Sequence, residues 1–147
     1  MRIQILSTGT ELLRGRSVDT NLGTIARALE EVGGEVRYHA TCGDDFARLV
    51  DELKLAATRA DVCIMTGGLG PTEDDFSRAA VEEAFHRPLR FRPELWRAVQ
   101  ARFRKLRIRA AAINRREAFL HEGAKSLENP NGSAPGIRLE VDGFVLY

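Results

Sequence analysis

Cysteine is scarce in this sequence. Cys42 and Cys63 are the only two, too few for a disulfide framework and without ligand spacing for zinc. Both lie beside apolar runs and read as buried free thiols in a reducing compartment. No apolar stretch approaches the ~20 residues that a membrane helix needs. Met1-Arg2-Ile3-Gln4-Ile5 leads directly into a strand pattern with no secretory signal before it, so a cytoplasmic protein without membrane contact is expected. Charge of one sign is lacking too: 22 Lys and Arg oppose 21 Asp and Glu, for a net charge of +1. That excludes general attraction to polyanions. Repeats and low-complexity tracts are absent. The histidines, His39, His86 and His121, form no catalytic pattern, and no nucleophile elbow supports serine hydrolysis.

What is present is enough for one well-filled core, with 147 residues of which 44% are hydrophobic. Three short apolar runs, Ile3 to Leu6, Val36 to Thr41 and Asp61 to Thr66, each lead into a turn and a helical pattern. Leu22, Ile25, Ala26, Leu29 and Val32 mark the first helix, with Asp19 as N-cap and Gly33-Gly34 as the stop. Phe46, Leu49, Val50, Leu53 and Ala57 mark the second, led in by Asp44 and Asp45. Phe76, Ala79, Ala80, Ala84 and Phe85 mark the third, which is expected to start after Pro71-Thr72. Strands alternating with helices imply right-handed crossovers and a mostly parallel, doubly wound α/β sheet.

Pro93 opens a further helix whose apolar face carries Leu95, Trp96, Val99, Phe103 and Leu106, with Trp96 and Phe103 expected to pack on the sheet. A shorter helix is expected from about Ile108 to Asn114. Between Arg87 and Arg116 stand eleven Arg or Lys and one acid, Glu94. Three readings stay open for this segment: a solvated positive face, an arm carrying Arg115 or Arg116 to a phosphate, or nucleic-acid contact. The last is the least supported, because no binding motif or set of stacking aromatics accompanies the charge. Ile137 to Val141 alternates as a strand, Asp142-Gly143 makes a tight hairpin, and Phe144 to Tyr147 begins the return. A domain over 1–147, cut short at its C-terminal edge, is expected.

In open α/β sheets ligands bind beyond the carboxyl ends of the strands. The three loops there are Ser7-Thr8-Gly9-Thr10-Glu11, Gly43-Asp44-Asp45, and Gly67-Gly68-Leu69-Gly70-Pro71-Thr72-Glu73-Asp74-Asp75. Glycines let backbone amides approach an anion, and a helix N-terminus adds its own. The competing account is a tight turn with Thr72 as helix cap and Asp75 completing a capping box. Neither Gly-Lys-Ser/Thr nor a dinucleotide fingerprint is present. Glu11, Asp44, Asp74 and Asp75 are expected to converge at the sheet edge, where such carboxylates suit Mg²⁺ or another hard divalent ion. Ser7, Thr8 and Thr10 would then donate to sugar or phosphate.

The ordered set Ile5 to Leu13, Asp19-Thr20-Asn21, Gly43-Asp44, Thr66 to Asp75, Asn114 to Ala118 and Asn129-Pro130 with Gly132-Ser133-Ala134-Pro135-Gly136 resembles the N-terminal domain of the competence/damage-inducible CinA family. That domain belongs to the molybdopterin-binding superfamily, and the match spans essentially the whole chain. The resemblance implies a three-layer α/β/α sandwich, often dimeric or trimeric. It implies site roles for Glu11, Asp44 and Asp75; the arrangement of the loop carboxylates makes Asp44, Asp74 and Asp75 the expected metal ligands. Ser7, Thr8, Gly9, Thr10, Gly67, Gly68, Gly70, Thr72, Arg115, Arg116, Gly132 and Ser133 would be ligand-binding. Two activities follow from it: hydrolysis of ADP-ribose to AMP and ribose 5-phosphate with Mg²⁺, Mn²⁺ or Co²⁺, or binding or adenylyl transfer to molybdopterin in molybdenum cofactor biosynthesis. The first is the leading expectation; a non-catalytic interaction module is the third alternative.

Overall fold

In the computed structural model, which describes residues 1–147, strand β1 (Ile3–Thr8) is the most enclosed element. It is paired in parallel on both sides, to β2 (Val36–Cys42) and to β3 (Val62–Thr66). Ile3, Gln4, Ile5, Leu6 and Ser7 are therefore all buried, as a strand inside a covered parallel sheet should be. Gln4 is tolerated there because its amide is satisfied: it donates to Glu52 at 2.9 Å and accepts from Arg59 at 2.8 Å, and Arg59 pairs with Glu52.

The sheet has six strands in the order β2-β1-β3-β8-β7-β6. Strand β8 (Phe144–Leu146) runs parallel to β3, while β7 (Gly136–Val141) is antiparallel to β8 and β6 (Lys125–Leu127) is antiparallel to β7. The β7–β8 link is the expected Asp142-Gly143 hairpin. Both residues have positive φ, 49° and 85°, as a two-residue turn matched to strand twist requires.

The layers follow from strand alternation. On one face Leu6, Cys63, Leu139 and Leu146 meet α3 (Phe46–Arg59) and α4 (Ser77–Phe85) through Leu49, Leu53, Ala80 and Val81. Burial pushes the Cys63 thiol up to about 12, so it is an inert core residue. The short α1 (Thr10–Leu13) follows β1 directly. Helix α2 (Thr20–Glu31) packs on β1 from the other face and is capped as expected by Asp19, whose carboxylate accepts the Leu22 amide at 2.9 Å. The result is the three-layer α/β/α sandwich.

Residues 89–121 form a lobe beside the sheet. Strands β4 (Leu89–Phe91) and β5 (Phe119–His121) pair antiparallel, with Phe91 and Phe119 edge to face at 5.6 Å. Helix α5 (Pro93–Lys105) packs on a 3₁₀ helix, Ala112–Ala118. Two expectations are corrected here. Trp96 and Phe103 sit in this lobe, because the β4–β5 ribbon carries α5 away from the sheet. The short helix expected over 108–114 starts at Ala112 instead, because Arg107 turns to φ 59° and ends the helical run, and Asn114 reaches back to accept the Ala111 amide at 2.9 Å. No helix is long and apolar enough to cross a membrane.

Candidate functional site

The glycine-rich loop after β3 owes its shape to where its carbonyls are held. Thr8 donates its hydroxyl to the Thr66 carbonyl at 3.0 Å. Ser77 donates its hydroxyl to the Gly67 carbonyl at 2.8 Å and its amide to the Gly68 carbonyl at 3.3 Å. In a planar trans peptide the N–H points opposite to the C=O. Holding the carbonyls of residues 66–68 from behind therefore turns the amides of Gly67, Gly68 and Leu69 forward. These three find no acceptor within the chain. Gly67 and Gly68 have φ 99° and 62°, and such successive amides form a concavity suited to an anion.

The outer half of the loop is closed on itself. Asp75 accepts from the Gly70 amide at 3.0 Å and the Thr72 amide at 2.8 Å, and from the Thr72 hydroxyl. Helix α4 begins only at Ser77, so the competing account of a Thr72 cap and an Asp75 capping box does not hold. The Thr-x-x-Asp spacing serves a turn, and the Asp75 carboxylate supplies this half of the loop with its own anion. The Ser77 amide at the start of α4 is spent on the Gly68 carbonyl.

The other two loops lie alongside. The Gly9 amide donates to Cys42 O at 2.9 Å. Thr10 and Asp44 bond reciprocally, Thr10 N to the Asp44 carboxylate at 3.2 Å and Asp44 N to the Thr10 hydroxyl at 2.9 Å. The Glu11 carboxylate folds over Gly9, where a Cβ would lie 2.4 Å from it. A Cβ on Gly67 would lie 2.3 Å from the Thr8 hydroxyl. Thr8, Gly9, Thr10, Glu11, Asp44, Gly67 and Gly68 are thus brought to one edge of the sheet.

The remaining candidates go elsewhere. Ser7 is buried, with its hydroxyl 3.4 Å from His39 Nε2. Asp19 lies nearby: burial alone would raise its carboxyl, but the neighbouring Ser7 hydroxyl, the Leu22 and Asn21 amides and the His39 ring together hold it below its ordinary value. Arg115 stacks on Phe91 at 4.3 Å. Arg116 donates to the Pro71 and Thr72 carbonyls, both at 3.2 Å, and borders a 250 Å³ cavity with Gly70, Thr72 and Asp75. Gly132 and Ser133 line a separate 530 Å³ cavity with Arg102 and Lys105 of α5.

The expected metal centre is corrected. Asp44 lines a 610 Å³ cavity with Thr10, Leu13 and Asp51, whereas Asp75 lines the 250 Å³ one. Asp74 is exposed and joins neither. No group of three His, Cys, Asp or Glu side chains is placed to hold a metal ion. A shared sheet edge sets the loops together, but Asp44 is tied to Thr10 of the first loop and Asp75 to the amides of its own loop, so the carboxylates lie in separate cavities.

Sequence reading missed three buried residues behind the loop: Arg78, Glu117 and His121. In sequence Arg78 looks like any polar residue of an amphipathic helix, and only Glu117, within the Asn114 to Ala118 motif, carried a signal. His121 is fully buried and its Nε2–H donates to the Arg78 carbonyl at 2.9 Å. Burial lowers its pKa from 6.5, against the opposing pull of that carbonyl and of Glu82. The unfolded chain binds a proton near pH 6.5 that the folded chain refuses. Stability is therefore expected to fall as pH drops from about 6.5 toward the lower folded value. Urea midpoints across pH 7.5 to 5 check this, and His121→Gln, which keeps the donor but cannot titrate, is expected to flatten that part of the profile. An equal slope in the variant refutes the assignment.

Comparison with known proteins gives consistent matches. The family model for a probable molybdopterin binding domain matches residues 4–145. A competence-damage inducible protein of Halothermothrix orenii is 43% identical over 146 residues, covering 99% of this chain and 35% of that protein. A CinA-like protein of Dictyoglomus turgidum is 38% identical over 146 residues, covering 99% of this chain and 36% of that protein. The chain thus spans about a third of the length of these curated relatives. Among solved structures, CinA of Thermoplasma acidophilum superposes with a TM-score of 0.90 at 25% identity, over 99% of this chain and 86% of that one. The molybdopterin biosynthesis enzyme MoaB of Thermus thermophilus matches with a TM-score of 0.63 at 19% identity, over 99% and 77%, which is a likeness of fold.

These matches overturn the leading expectation of a metal-dependent ADP-ribose pyrophosphatase. The family model ties the chain to a probable molybdopterin binding domain, and the acids expected to hold the hydrolytic metal do not assemble.

Proposed function

We propose that this chain, which belongs to the probable molybdopterin binding domain family as a CinA-type N-terminal domain, binds molybdopterin at the carboxyl edge of its parallel strands. The observation that carries this reading is the set of three forward-facing amides, Gly67, Gly68 and Leu69, without an acceptor in the chain. Molybdopterin ends in a phosphate monoester, and such a concavity suits a phosphate. A Cβ at Gly67 or Gly68 would run into the Thr8 or Ser77 hydroxyl, at 2.3 and 2.4 Å, so glycine is what lets this loop seat against the groups that hold its carbonyls. A pterin ring presents an edge of N–H donors, and Glu11 beside Gly9 supplies a carboxylate for it. Asp44, tied to Thr10, holds the first two loops in register.

The test is titration of purified protein with molybdopterin, followed by pterin fluorescence, with inorganic phosphate as competitor. A Kd in the micromolar range, about −8 kcal/mol, weakened by excess phosphate, is the expected result. A folded protein that binds no molybdopterin would overturn this reading and favour an interaction module.

A further inference from the structure

The structure assigns Arg78 a role that no motif announced: it is a positioning residue that sets the conformation of the anion-binding loop from behind. This inference rests on the loop being the ligand site. Arg78 is the second residue of α4 and is 6% exposed. Its Nη2 donates to the Leu69 carbonyl at 2.7 Å and its Nη1 to the Gly70 carbonyl at 3.4 Å. With Thr8 on Thr66 and Ser77 on Gly67 and Gly68, every carbonyl from residue 66 to 70 has a donor from β1 or α4. By peptide planarity the grip on Leu69 turns the Gly70 amide outward, and that amide is the one that meets Asp75 at 3.0 Å. Arg78 thus stands at the junction between the free amides and the self-satisfied half of the loop.

Packing alone does not explain an arginine here. Burying a guanidinium carries a desolvation penalty, so a buried arginine must be offset by hydrogen bonds and countercharge. The countercharges are indirect: Glu117, 1% exposed, and Asp75 act on Arg78 through space. Glu117 is itself held by the Asn114 amide at 2.9 Å. An apolar residue would remove this buried charge but leave the two carbonyls without donors. The planar fork of an arginine reaches two neighbouring acceptors at once, which a lysine ammonium cannot copy with the same geometry.

The experiment compares wild type, Arg78→Met and Arg78→Lys by ¹H–¹⁵N spectra of residues 67–70, by urea unfolding and by molybdopterin titration. Arg78→Met is expected to unfold cooperatively but to broaden or shift the Gly68, Leu69 and Gly70 amides, with affinity about tenfold weaker or worse. Arg78→Lys is expected to fall between, and millimolar guanidinium to restore the Arg78→Met amide spectrum in part. Unchanged loop amides in Arg78→Met, with affinity within about twofold of wild type, would overturn the assignment. If Arg78→Met does not fold, Arg78→Lys carries the same comparison, and wild-type amide positions there would also overturn it. Failure of wild type to bind molybdopterin would instead remove the proposed function, while the amide spectra still decide whether Arg78 sets the loop.

Discussion

Gly67→Ala is expected to cost about 2–5 kcal/mol of stability, from about 1–2 for a side chain in a positive-φ conformation and about 1–3 for the forced contact. The added Cβ would lie 2.3 Å from the Thr8 hydroxyl and 2.6 Å from the Thr8 carbonyl oxygen. The hydroxyl can rotate, but the carbonyl belongs to strand β1 and yields only if β1 and β3 separate. Against a typical total of about 5–15 kcal/mol, this is a large loss. Gly33→Ala is the internal control: Gly33 also has positive φ, 76°, but a Cβ there meets nothing within 4 Å. It is expected to lose only the conformational part. Urea unfolding of the two variants separates backbone strain from the Thr8 contact, and equal losses would show that the contact is not tight. In molybdopterin titration Gly67→Ala is expected to lose binding, because the amides that face the ligand move with the carbonyl they flank.

Asp75→Ala has the second largest expected effect. Its carboxylate is the common acceptor for the Gly70 amide, the Thr72 amide and the Thr72 hydroxyl. Hydrogen bonds to a charged group contribute about 1.5–3 kcal/mol each when buried. This loop is partly exposed, so water recovers much of that, and a net loss of about 2 kcal/mol is expected. The loss also removes a countercharge of Arg78, leaving a buried cation less compensated. Asp75→Asn is expected to lie between wild type and alanine, since one oxygen still accepts while the amide nitrogen opposes a donor. Urea midpoints order the three proteins, and molybdopterin affinity is expected to follow the same order. Full affinity and stability in Asp75→Ala would show that the loop does not depend on its own carboxylate.

The two predictions concern one loop, and its parts differed in how legible they were. Gly67, Gly68 and Gly70 stand out because glycine at the end of a strand has few other uses. Thr72 and Asp75 were ambiguous, because the spacing of a capping box is also that of a closed turn, and only the start of α4 at Ser77 distinguishes them. The acids Glu11, Asp44 and Asp75 were readable as a set at one sheet edge, yet two of them are engaged separately: Asp44 by Thr10 of the first loop and Asp75 by the amides of its own loop. A metal centre needs side chains aimed at one point, and loop order does not specify aim. Gly132 and Ser133 sit beside α5 rather than the glycine-rich loop, since an unforeseen lobe displaces that helix. The β4–β5 ribbon that builds this lobe was invisible because each strand has three residues and its partner lies some thirty residues away along the chain.

What the sequence by itself determined is the parallel core and the loops at its carboxyl edge. The apolar runs of β1, β2 and β3, the periodic faces of α2 and α3 with their aspartate caps, and the Asp142-Gly143 hairpin are local patterns whose burial admits one arrangement. Only the tertiary structure decided which polar groups are spent on the protein and which are left without a partner in it. Arg78, Ser77 and Thr8 come from separate elements to hold the carbonyls of residues 66–70. A hydrogen bond depends on ångström-scale approach and direction, which residue spacing alone does not encode.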